Sequence, residues 1–179
     1  MIKKIFLKFE GNIIKITSHF SVRFYMKHYV KYLQKLGIKI PNYDGRSYIS
    51  PDVKFDGTRY SLISIGQGVT ISTGVMLLVH DYSISRGLAS IDPNFSNDKR
   101  YRFMKSIVIE DGVFIGARSL LLPGSKVGKH SIVGACSVVH GKIPAGSVAA
   151  GNPAKVKKTI DEWGKEHFKA HDYEEYDRK

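Results

Sequence analysis

The sequence predicts a mainly β chain wound as a parallel solenoid. Three observations predict it: a six-residue period, a recurrent aliphatic residue opening each six, and Gly at the second place of many of them. Residues 65–76 divide into IGQGVT and ISTGVM, and residues 109–138 into IEDGVF, IGARSL, LLPGSK, VGKHSI and VGACSV. The opening residues are Ile65, Ile71, Ile109, Ile115, Leu121, Val127 and Val133. The fifth places are small or β-branched: Val69, Val75, Val113, Ser119, Ser125, Ser131 and Ser137.

A period of six is neither helical nor a plain strand alternation. It fits a coil in which each six makes one short flat side, the first residue pointing inward and the fifth turning in near a bend. Gly permits the tight turns between sides. No single coil can bury its own apolar face, so the coils must stack.

The elements follow in order. Residues 18–36, SHFSVRFYMKHYVKYLQKL, place Phe20, Phe24, Tyr29, Val30, Leu33 and Leu36 at helical spacing, with Arg23, Lys27, Lys31 and Lys35 mostly between them. This predicts an amphipathic helix capped by Ser18 or Ser21 and stopped by Gly37. Two readings of it stand: docking on its own domain or a neighbouring subunit, or a basic, aromatic membrane-surface helix. Ile49, Val53 and Phe55 begin a weaker repeat, and 47–79 reads as the first coils with one small insertion at 60–64. The repeat then breaks. Residues 81–106 are polar, charged and aromatic, carry Arg86, Lys99, Arg100 and Arg102, and read as a long loop leaving the coil. The solenoid resumes at Ile107 and fades through VHGKIPAGSVAAGNPAK at 139–155. Thr159 and Glu162 form a capping-box pattern that predicts a C-terminal helix to about residue 170, covering the open end of the coil. The domain reading is therefore an N-terminal helical segment 1–46, the solenoid 47–158 and a C-terminal helix and tail 159–179.

Composition narrows the partners. Of 179 residues, 28 are Lys or Arg and 16 Asp or Glu, a net charge of +12. Such an excess favours an anionic partner. One cysteine, Cys136, excludes an intramolecular disulfide and suits a reducing compartment. The first residues lack the unbroken apolar core of a secretory signal, and no run approaches a spanning helix. A cytoplasmic protein is expected, with a place at the inner membrane face if the basic helix binds there.

IGQGVTISTG, VHDY, IVIEDGVFIGARSLLLPGSKVGKHSIVGACSVV and IPAGSVAAGNPAKVKK together resemble the hexapeptide-repeat acetyltransferases. The similarity is to the group of galactoside, maltose and xenobiotic acetyltransferases and of O-acetyltransferases of bacterial surface glycans, over roughly residues 47–158. The resemblance implies a left-handed parallel β-helix, acetyl-CoA as co-substrate with no metal required, a homotrimer with active sites between subunits, and a long loop covering a neighbour's site. It implies an O-acetyltransferase acting on a sugar or glycan, with N-acetylation of an amino sugar as the alternative.

Acetyl transfer needs a group that takes the acceptor proton, and neutral imidazole suits this near pH 7. His80 sits where the regular repeat yields to the loop, and by resemblance it matches the family's catalytic histidine. Asp56, Asp81, Tyr82 and Arg86 are candidate acceptor contacts. By resemblance, Ala117 and Ala135 line the pantetheine path, and His140, Lys142, Lys155 and Lys158 meet the coenzyme. His140-Gly141-Lys142 departs from the family's usual Thr-Lys-Asp, which displaces the lysine by one place. His19, His28, His130, His167 and His171 are expected on the surface, and Cys136 is read as structural. A metalloenzyme on the same coil would need three converging histidines, and 109–129 holds none. A non-catalytic scaffold is the remaining alternative, and no nucleic-acid motif is present.

Overall fold

A computed structural model describes residues 2–57, 59–92, 94–95 and 100–175, without the side chains of 2–6 and 8. The solenoid is present. Numbered along the chain, one sheet orders β1 (Tyr48–Ile49), β4 (Thr70–Ile71), β9 (Phe114–Ile115), β12 (Ile132–Val133), β15 (Ser147–Ala150) and β16 (Lys155–Thr159). A second orders β2 (Lys54–Phe55), β5 (Met76–Leu77), β10 (Leu120–Leu121) and β13 (Val138–Val139). The third orders β3 (Ile63–Ile65), β8 (Ile107–Ile109), β11 (Lys126–Val127) and β14 (Lys142–Ile143). Every pairing in these three sheets is parallel except β15 with β16. The chain is a left-handed parallel β-helix.

The register explains the hexads. Ile49, Ile71, Ile115, Val133 and Ala149 stack in one column, Ile65, Ile109, Val127 and Ile143 in another, and Phe55, Leu77, Leu121 and Val139 in the third. All but Phe55 are buried. Each such aliphatic side chain contributes roughly 1.5–3 kcal/mol on burial. The fifth places change character along the coil, from Val69, Val75 and Val113 to Ser119, Ser125, Ser131 and Ser137, all buried. The serines satisfy turn carbonyls: Ser125 Oγ bonds the carbonyls of Leu122 at 2.7 Å and Val139 at 2.8 Å, and Ser131 Oγ that of Pro144 at 2.7 Å. The insertion expected at 60–64 contains a 3₁₀ turn at Tyr60–Leu62.

The N-terminal region differs from its reading as one helix over 18–36. Two helices stand there, α1 (Ile2–Ile16) and α2 (Val22–Leu36), joined by a 3₁₀ turn at Thr17–His19. Ser21 is the cap, its Oγ accepting from Phe24 N, and Gly37 stops α2 in the left-handed region at φ +100°. Helix α2 plugs the first coil. Tyr25, Met26, Tyr29, Val30 and Leu33 are buried, and Tyr25 Oη donates to Ile49 O at 2.8 Å. The reading of α2 as docked on its own domain therefore holds for its apolar face. No described helix is long and apolar enough to cross a membrane.

At the other end, the expected helical cap needs correction. The capping box of Thr159 and Glu162 is formed and starts α4 (Ile160–Ala170), but α4 buries no residue. Strand β16 does the covering, running antiparallel on the last strand edge, β15. A hairpin satisfies an open ladder of N–H and C=O groups directly, which a helix cannot.

The long loop is also more ordered than predicted. His80–Asp81 (β6) pairs antiparallel with Phe103–Met104 (β7), and Ile84–Ile91 forms α3. Lys105 N donates to Val79 O at 3.0 Å, closing the neck of the excursion. Lys99 lies outside the described residues.

Candidate functional site

The coil places Asp56 and His80 at the same corner. Asp56 follows β2, His80 opens the excursion after β5, and these strands are neighbours. His80 Nδ1 bonds Asp56 Oδ2, and Val79 N donates to the same oxygen at 3.1 Å. The Asp56 side chain is only 5% exposed and that of His80 21%. A carboxylate only accepts, so Nδ1 carries the proton in this pairing, and in a neutral ring Nε2 is then the acceptor nitrogen. The carboxylate thus fixes which ring nitrogen of His80 donates and how the ring is oriented. Tyr60 stands nearby, its phenol pushed above the ordinary value by burial and then by the Asp56 charge.

Asp56 thus orients a histidine, rather than standing only as an acceptor contact. The two residues are far apart in sequence, and only the coil repeat joins them. Tyr82 meets the His80 ring edge-on, centroids 5.0 Å apart at 82°, and is itself half exposed. Arg102 Nη1 donates to Tyr82 Oη at 3.3 Å and its guanidinium lies 5.8 Å from the ring centroid. Sequence reasoning singles out neither this contact nor the pairing of His80 with Met104, because both cross the excursion where no period runs.

Asp81 is used locally. Its carboxylate accepts from Ser83 N at 2.7 Å, and the Ser83 backbone and side chain hold it below the usual carboxylate range. It shapes the turn into α3. Arg86 lies exposed on α3.

The candidate coenzyme residues lie elsewhere on the coil. Ala117 and Ala135 occupy successive turns at the corner between the first and second sheets, where Cys136 N donates to Ala117 O at 2.8 Å. Gly116 brings these turns together: a Cβ there would sit 2.5 Å from Ala135 N. Cys136 is exposed and takes a left-handed turn at φ +57°. His140 is exposed at the same corner as His80, two coils further on. Lys142 is stacked beside Lys126, which pairs with Glu110 at 2.7 Å. Lys155 is exposed on β16, whereas Lys158 is engaged by the Glu166 carboxylate of α4. Thus the structure unites His80, Asp56 and Tyr82, but leaves Ala117 and Ala135 at a different corner of the same chain. Among the described residues, no group of three His, Cys, Asp or Glu is arranged to hold a metal ion.

Comparison with known proteins agrees with the coil. Residues 106–141 match the family model described as bacterial transferase hexapeptide (six repeats). A Clostridium perfringens 2,3,4,5-tetrahydropyridine-2,6-dicarboxylate N-acetyltransferase is 54% identical over 55 residues, 31% of this chain and 23% of that protein. The provisionally named acetyltransferase YvoF of Bacillus subtilis is 32% identical over 64% of this chain and 55% of its own length. WbbJ of Escherichia coli, provisionally named a lipopolysaccharide biosynthesis O-acetyl transferase, is 35% identical over 54% of this chain and 50% of its own length. The chain thus spans between about a quarter and about half of the curated relatives it matches. Among solved structures, a hexapeptide-repeat acetyltransferase of Vibrio cholerae superposes with TM-score 0.55 at 20% identity, over 86% of this chain and 90% of that one. Galactoside acetyltransferase in complex with coenzyme A superposes with TM-score 0.54 at 21% identity, over 97% and 87%. At those identities the likeness is one of fold. The chain thus carries the bacterial transferase hexapeptide repeat over residues 106–141, and its left-handed coil is similar in fold to the hexapeptide-repeat acetyltransferases.

Proposed function

We propose that this protein transfers an acetyl group from acetyl-CoA to a hydroxyl of a sugar or glycan, with His80 as general base. The observation that carries this reading is the Asp56–His80 pair, a half-buried histidine oriented through Nδ1 by a buried carboxylate at the coil edge. His80 Nε2 takes the acceptor O–H proton as the oxygen attacks the thioester carbonyl carbon. The tetrahedral oxyanion is met by backbone N–H donors. Its collapse breaks the C–S bond, and the thiolate leaves with the proton returned from the imidazolium. Asp56 stabilises the imidazolium formed on the way.

In this reading residues 47–158 are the acyltransferase unit, ended by 1–46 and 159–179. Tyr82, Arg86 and Asp81 surround the acceptor, with Asp81 acting through the turn it shapes. Ala117 and Ala135 line the pantetheine path, and His140, Lys142 and Lys155 approach the coenzyme, with Lys158 released from Glu166 to join them. The separation of the His80 corner from the alanine corner supports a homotrimer, in which one subunit's histidine faces a neighbour's groove. Light scattering tests the trimer. A cytoplasmic location follows from the donor, acetyl-CoA.

The test is thiol release from acetyl-CoA across a panel of sugars and glycans. Turnover that needs a hydroxyl acceptor and falls at least about 100-fold in His80→Ala supports the reading. Full turnover in that variant would sink it. The second reading is N-acetylation of an amino sugar, favoured by the match of the repeats to an N-acetyltransferase. Product analysis on an acceptor bearing both groups separates the two.

A further inference from the structure

Helix α1 is apolar on two opposite faces. One face meets α2: Gly11 is buried so close to Tyr32 that a Cβ there would lie 2.5 Å from the phenol oxygen, and Ile14 packs against the core. The other carries Phe9, Ile13 and Ile16 at i, i+4 and i+7, and it continues through Phe20 in the turn to Phe24 at the start of α2. These five side chains are between 50 and 84% exposed. A helix apolar all round is normally buried, and among the described residues nothing covers this stripe.

The charge beside it is one-sided. Residues 1–36 hold eight Lys or Arg and one acid, Glu10, whereas residues 37–179 hold twenty and fifteen. Seven of the twelve net charges therefore lie in the first fifth of the chain. Glu10 is itself engaged by Lys35 at 2.5 Å. Arg23, Lys27 and Lys31 are exposed on α2 next to the Phe20–Phe24 end of the stripe.

We propose that the α1–α2 hairpin is a docking surface for an anionic lipid bilayer, with Phe9, Ile13, Ile16, Phe20 and Phe24 entering the interfacial region and Arg23, Lys27 and Lys31 facing the headgroups. An apolar stripe bordered by cations is the pattern of an in-plane membrane helix. A second copy of the chain is the poorer occupant, since it would bring an equally cationic hairpin against this one. The hairpin sits on the N-terminal end of the coil, so this end faces the membrane.

The experiment is sedimentation of the full chain with vesicles of phosphatidylcholine alone or with about 30% phosphatidylglycerol. Binding is expected only to the anionic vesicles and should weaken as salt rises from about 0.1 to about 0.5 M. Phe20→Ser with Phe24→Ser, and separately Arg23→Glu with Lys27→Glu, should each lower partitioning about tenfold or more. Circular dichroism and thiol release by the same variants report on folding and on acetyl transfer separately. Equal partitioning of the unmodified chain to both vesicle types, or variants that bind undiminished, overturns the proposal. So does loss of a higher oligomer in the Phe pair without vesicle binding by the unmodified chain, which would make the stripe a contact between copies.

Discussion

Asp56 and His80 are joined through one carboxylate oxygen, Oδ2, which takes both the imidazole Nδ1–H and the backbone N–H of Val79. The backbone bond fixes the carboxylate, and the carboxylate fixes the ring. Asp56 is more buried than the histidine it holds, so the pair keeps its carboxylate inside.

Asp56→Asn should therefore damage turnover more than folding. An amide offers its own N–H groups to Nδ1 and favours the wrong tautomer. A fall in kcat of about 10²–10⁴ is expected, with KM little changed. Asp56→Ala combined with His80→Ala should be no worse than His80→Ala alone, because the two act as a unit. Steady-state thiol release on the four proteins checks this, and a kcat in Asp56→Asn within a factor of two of the parent contradicts it.

Two Gly→Ala substitutions should move stability in opposite directions. At Gly116 the new methyl meets the Ala135 amide, a backbone group that cannot swing aside, and overpacking of this kind costs about 1–3 kcal/mol. At Gly87 in α3 nothing lies within 4 Å, so Ala should stabilise by up to about 1 kcal/mol through helix propensity. Thermal unfolding of both variants gives the sign directly.

Removal of the Tyr25 hydroxyl isolates the plug at the first coil. Tyr25→Phe leaves the Ile49 carbonyl unpaired in a buried place, at a cost of about 1–3 kcal/mol. Urea unfolding should show a lower midpoint with an unchanged slope.

Asp52 links stability to acid. Burial alone would raise its pKa, but bonds from Ser50 Oγ, Thr73 Oγ1 and Gly74 N outweigh it and hold the carboxyl below its ordinary 3.8. The folded form thus binds its proton less readily than the unfolded chain. Its contribution is full above the ordinary value and is lost as pH falls through the lowered one. Because the group is largely in water, about 1 kcal/mol is expected. Asp52→Ala should reduce the unfolding free energy by that amount at pH 6, with the difference vanishing near pH 2. A difference that persists at acid pH would contradict it.

The coil was legible because six-residue spacing is imposed by stacking itself. Ile115 and Val133 must repeat if their turns are to share a column. His80 was legible for the complementary reason, as the place where that spacing stops. The partnership with Asp56 was not, since the contact between adjacent coils crosses the insertion at 60–64, where the count of six is interrupted. The cap at β16 was hidden because Lys155–Thr159 is exposed and carries no apolar alternation. Helix α1 escaped because its apolar residues lie on both faces, which erases the one-sided pattern that marks α2.

The neck of the excursion gives the chain two separable histories. Strands β6 and β7 leave and rejoin the coil side by side, and Ile71 still stacks on Ile115 although 44 positions separate them where one plain turn, Ile115 to Val133, takes 18. Whatever grows between the neck strands leaves the stack beneath unaltered, and doubling its length costs only about 0.6 kcal/mol in closure entropy. On the proposed acetyl-transfer reading, new acceptors can then be explored by rewriting 82–102 alone, as a tool head is changed on a fixed shaft.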